Sequence, residues 1–141
     1  MRRRTEPSHA EFETAFVYAG LAVALTVGFG YAAVLSVLIG FDLPLGDWLV
    51  SAIQAHGHGQ LAGWLGLFIL GVSLHFIPRM TGVPIRSPRP ARWVCGLVAG
   101  GVFLRGLSQP LMDVYPEGML RAVFRWGMAL SAGMEAAGVG L

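Results

Sequence analysis

From Trp48 to Pro78 the chain carries no Asp, Glu, Lys or Arg, yet the stretch holds three histidines, His56, His58 and His75. About 20 apolar residues in a helix suffice to cross the hydrocarbon core of a bilayer, so a run of this length belongs in lipid. Imidazoles are costly there and mark function by default, most often a haem iron, a metal or a proton path.

The rest of the chain agrees with a membrane solvent. Of its 141 residues 55% are hydrophobic and 13% charged, against roughly 25% charged in soluble proteins. That length allows about four spans with short links, hence one all-α bundle and a single domain. Nothing alternates with period two, so barrel strands are excluded and helices are the expected state. The expected spans are about 14–40, 48–76, 93–112 and 117–141. The first is preceded by too long a polar lead, and is itself too long, for a cleaved signal peptide. The last reaches Leu141 with no basic residue after it, the pattern of a bundle that continues in a longer protein.

The net charge is +2 and all ten basic residues are arginine. They gather at the expected membrane borders instead of forming one patch, which excludes a nucleic-acid partner. Arg2, Arg3 and Arg4 precede the first span, and Arg79, Arg86, Arg89 and Arg92 fill the link between the second and third. Asp42, Asp47, Asp113 and Glu117 occupy the other two links. Arginine-rich links stay inside, so both termini are expected in the cytoplasm of a multi-pass protein. The lone Cys95 lies in an apolar run and allows no intrachain disulfide; packing is its expected role. Gly59 with Gly63, and Gly96 with Gly100, have the small-xxx-small spacing that lets helices approach closely. Gly57, Gly59 and Gly63 could alternatively leave room for a flat macrocycle.

At ~1.5 Å per residue from Trp48, His58 is expected about 15 Å below the acidic border and His75 near the opposite border. His56 and His58, two apart on a helix, point to opposite sides and cannot both ligate one iron. The same rise places Arg105, Arg121 and Arg125 in the half that holds these two histidines. There they could pair with anionic groups such as haem propionates. The competing roles are snorkelling to headgroups for Arg121 and Arg125, and pairing with Asp113 or a carbonyl for Arg105. For His58 the competing role is a neutral ring donating to a helix carbonyl. Met128 is expected at the depth of His58, where it could complete His/Met ligation or simply fill space.

The run His56-Gly-His58-Gly-Gln-Leu-Ala-Gly-Trp64, continuing through His75-Phe-Ile-Pro-Arg79-Met-Thr-Gly82, resembles the second-helix region of the NnrS family. These are bacterial inner-membrane proteins that contain haem and copper and are linked to nitric oxide metabolism. It resembles more distantly the second helix of haem-copper oxidase main subunits, in which such a histidine is an axial ligand of low-spin haem. Both families have further spans, which supply the other histidine ligands. The resemblance implies haem b, with copper as a second metal and nitric oxide or another small gas as ligand. It also implies His58 and His56 as candidate metal ligands and His75 as a further cofactor-binding candidate; Arg105, Arg121, Arg125 and Met128 join them by the depth count above. A second axial ligand would come from a homo-oligomer, from a further subunit or later part of a longer protein, or from Met128; the remaining option is a five-coordinate haem that binds nitric oxide at its open position. Two alternatives stand beside this bacterial inner-membrane haem protein of nitric oxide or respiratory metabolism. One is a fragment or minimal relative of an oxidase or nitric oxide reductase main subunit; the other is a cofactor-free structural subunit surrounded by membrane lipid.

Overall fold

The computed structural model describes residues 10–83, 85 and 87–140. Arg2, Arg3, Arg4, Arg86 and Leu141, which bear on the expected orientation and chain end, lie outside the described residues. The fold is an all-α bundle of four long helices. The first joins α1 (Ala10–Val23), a π-helical segment π1 (Ala24–Gly28) and α2 (Phe29–Gly40). The second joins α3 (Trp48–His58), a second π-helical segment π2 (Gly59–Gly66) and α4 (Leu67–Thr81). The third is α5 (Pro88–Val114) and the fourth α6 (Gly118–Gly140).

Three of these are long and apolar enough to cross a membrane: Thr14–Gly40, Trp48–Thr81 and Arg89–Val114. Helix α6 is 23 residues long but carries Arg121, Arg125 and Glu135, and falls outside that group. Large apolar side chains cover much of the bundle surface, with Leu25, Phe29, Val34, Ile53, Phe68, Ile69 and Trp126 all exposed. Small and branched residues fill the interior. This inside-out distribution suits a chain whose solvent is hydrocarbon and whose helices join by close packing.

Local chemistry explains the boundaries. The second helix runs a turn beyond the expected residue 76. Pro78 lies inside α4, and the helix ends at Gly82, whose φ of 68° is left-handed and closes the C-terminus at no Cβ cost. Helix α5 starts earlier than expected because Ser87 caps it, its Oγ accepting from the Arg89 amide at 3.3 Å, with Pro88 at the first helical position. Pro110 inside α5 has no N–H for the Gly106 carbonyl one turn back. The Tyr31 hydroxyl donates to that carbonyl at 2.7 Å instead, which ties the first helix to the third.

The apolar core sits toward the arginine-bearing end. It comprises Phe16, Val23, Val27, Leu67, Ala91, Cys95, Val98 and Val102. Cys95 is buried and free, in the packing role expected of it. Gly63 lies so close to Val23 and Val102 that a Cβ would collide with the Val23 methyl group, and a Cβ on Gly59 would meet Val27 at 2.9 Å. This glycine pair therefore serves helix packing, and the space expected for a macrocycle beside it is filled. Of the other pair, Gly100 packs on Met134, while Gly96 faces nothing within 4 Å.

Candidate functional site

Polar side chains meet in the half of the bundle nearer Asp47 and Asp113. On α3, Ser51, Gln54 and His58 recur at i, i+3 and i+7 and so share one face. On the antiparallel α5, Asp113, Gln109 and Arg105 recur at four-residue steps. The two rows meet in register. The Ser51 hydroxyl donates to the Asp113 carboxylate. One turn deeper the Gln109 amide donates to Gln54 Oε1 at 2.6 Å, and Arg105 Nε donates to Gln109 Oε1 at 3.2 Å. Gln109 is only 6% exposed, so the bonds on both sides of its amide offset the cost of burying it.

His58 closes the row at its deep end. Its Nε2 lies 2.7 Å from Glu135 Oε2 on α6, and the Ser131 hydroxyl donates to the other carboxylate oxygen at 3.3 Å. Glu135 is the functional candidate that reading for motifs missed. The signal was present, because it is the lone acid in the last apolar stretch, as conspicuous as the histidines in the second. Its carboxylate fits between helices because Gly101 of α5 lies against Ser131 and Glu135. A histidine–carboxylate pair of this kind fixes the imidazole orientation and can hold a proton between two helices.

The other candidates fall elsewhere. His56 donates from Nδ1 to the carbonyl of Gly28 at 2.8 Å. Gly28 closes π1, and its ψ of −89° departs from helical geometry. His56 thus ties the first two helices where a π-helical segment ends, on a different side of its helix from His58. The two imidazoles form no joint metal site. Among the described residues there is no group of three or more His, Cys, Asp or Glu able to hold a metal ion. His75 stacks edge-on with Phe76 near the arginine-bearing end, remote from the polar row. Arg79 donates to the His75 carbonyl.

Arg105 joins the row through Gln109, whereas Arg121 is exposed and donates to the Pro116 carbonyl just before its own helix. Arg125 is exposed. Met128 is half-buried and lies nearly two turns from Glu135, the α6 residue that lies against His58. The seating of α6 on α5, through Gly127 against Ser108 and Gly138 against Val98, sets this register, and the α6 side chain that reaches His58 is Glu135. Comparison of the chain with family models, with curated proteins and with solved structures finds no match.

Proposed function

We propose that the chain is a bacterial inner-membrane haem-binding protein of nitric oxide or respiratory metabolism, or a part of one, with His58 as the axial ligand. The observation that carries this reading is an imidazole inside an apolar helix whose ring is held by a carboxylate from another helix. Ligating histidines use that arrangement to fix orientation and raise basicity. Gly57, beside His58, faces nothing within 4 Å, and His58 is 26% exposed, so this side offers room for a flat group. Because Glu135 holds Nε2, iron would bind Nδ1 or take the place of the carboxylate at Nε2. Arg105 is the cation within the row and would meet the propionates. A haem supplies a site for electrons and a gas ligand; this chain supplies one axial nitrogen, its orientation and an apolar surround. A second axial ligand and any copper ligands would come from a second copy or from further helices.

The same reading places Asp42–Asp47 and Asp113–Glu117 outside, the Arg79–Arg92 link and both termini in the cytoplasm, and α6 across the membrane as a fourth span. A cofactor-free structural subunit is the second reading. It is favoured by both imidazoles serving as ties between helices, His56 to Gly28 and His58 to Glu135. Reduced-minus-oxidised spectra of the purified protein decide between them. The haem reading expects a Soret band that disappears in His58→Ala and survives in His56→Ala, with membrane insertion retained in both. A wild-type protein without haem, or an unchanged band in His58→Ala, would leave the structural reading standing.

A further inference from the structure

The row between α3 and α5 is polar, built of hydrogen-bonded groups at successive turns (Ser51 with Asp113, Gln54 with Gln109 and Arg105, His58 with Glu135), and not sealed. Gln54 is exposed, Ser51, Asp113, Arg105 and His58 are half-buried, and Glu135 at the far end is 18% exposed. At ~1.5 Å per residue from Trp48, Gln54 stands about 9 Å below the border and His58 about 15 Å. Lipid tails offer no hydrogen bonds. A carboxylate, a guanidinium, two amides and an imidazole leave more donors and acceptors than their mutual bonds use, so bare contact with hydrocarbon would cost several kcal/mol. On the other side of His58 the character reverses. Gly59 closes on Val27, Gly63 on Val23 and Val102, and Leu67 is fully buried. Among the described residues no polar side chain beyond Glu135 and Ser131 extends the row into that packing.

We infer that this row lines a water-filled half-channel, which opens at the border bearing Asp47 and Asp113 and ends blind at His58 and Glu135. The titratable and charged groups facing it are Asp113 and Arg105 from α5, His58 from α3 and Glu135 from α6. The Arg105 guanidinium disfavours hydrated metal cations, so the occupant is water. Through it the His58–Glu135 pair has aqueous contact with one side of the membrane only. The inference needs the bundle to span the membrane but does not need haem, so it stands or falls separately from the proposed function.

Thiol accessibility tests it. Ser51→Cys and Gln54→Cys are placed in a Cys95→Ala background, with Val50→Cys and Ile53→Cys as controls at the same depth on apolar faces exposed by 61% and 51%. Native Cys95, 7% exposed, reports the sealed half. A charged, membrane-impermeant methanethiosulfonate is applied to permeabilised membranes, and total thiol is counted after denaturation in SDS. The reacting species is the thiolate, which forms where water reaches. Ser51→Cys and Gln54→Cys should therefore react more than about tenfold faster than the controls, with Cys95 silent. If Gln54→Cys reacts no faster than Ile53→Cys, lipid or another helix covers the row and the half-channel is refuted. If Cys95 reacts as fast as Gln54→Cys, there is no sealed half and the blind end is refuted.

Discussion

Tyr31 and Pro110 make a quantitative test of how the first and third helices are joined. Pro110 cannot donate to the Gly106 carbonyl, and the Tyr31 hydroxyl supplies the missing bond at 2.7 Å. Gly106 is buried, so Tyr31→Phe leaves an acceptor in an apolar setting without its partner. An average interhelical hydrogen bond in a membrane contributes ~0.6 kcal/mol, with the best near ~1.7. Because this carbonyl has lost its helical donor, the cost belongs in the upper part of that range, about 1.4 kcal/mol, or tenfold in the unfolding equilibrium. Pro110→Ala restores an N–H at the right position. Helix α5 can then satisfy Gly106 itself, and Tyr31→Phe should cost no more than about 0.5 kcal/mol in that background. Reversible unfolding in mixed detergent–SDS micelles, measured for the wild type, both single variants and the double variant, gives the coupling energy of the pair. Equal costs of Tyr31→Phe in the proline and alanine backgrounds would show that the hydroxyl does not replace the proline's missing donor.

Gly63→Ala should destabilise the bundle by about 1–3 kcal/mol through overpacking against Val23, and Val23→Ala in the same chain should recover most of it; thermal unfolding in detergent would show a failed rescue as an unchanged midpoint. Gln109→Leu should cost about 1–3 kcal/mol because it strips Gln54 and Arg105 of their shared partner, and the same unfolding assay should then find Gln54→Leu less costly in that background than in the wild type.

The helical class, the second helix from Trp48 and the division between acidic and arginine-bearing borders were legible in the sequence, because the cost of charge in lipid writes them directly into composition. Lateral register was not. The neighbour of His58 on α6 depends on how Gly101, Gly127 and Gly138 let that helix settle on α5. Rise per residue counts turns along one helix and says nothing of tilt or stagger between two. Hence counting turns named Met128 as the α6 neighbour of His58, while the side chain that reaches the imidazole is that of Glu135. The α3–α5 row was half legible, since Ser51, Gln54 and His58 share a face on helical spacing alone. The pairing of Ser51 with Asp113 and of Gln54 with Gln109 follows only once the helices are known to be adjacent and antiparallel. The bond from His56 to Gly28 was beyond reach, because it depends on a carbonyl at the end of a π-helical segment that no residue pattern announces.

The π-helical segment between His58 and Leu67 sets the angular phase of the second helix. At about 100° per residue, the nine steps from 58 to 67 in an unbroken α-helix would turn the two side chains to opposite sides. Here His58 reaches Glu135 while Leu67 is fully buried, and the eight residues of π2, wound with a longer hydrogen-bonded loop, absorb the difference. The two halves of this helix can thus each present the right face to the bundle, polar above and apolar below, although their sequences are out of step. Were the same eight residues wound as α-helix at unchanged length, one half would be rotated against the other by more than about 90°. Either His58 would leave Glu135 or Leu67 would leave the core, so the winding of this segment, as much as its composition, aligns the imidazole with its carboxylate.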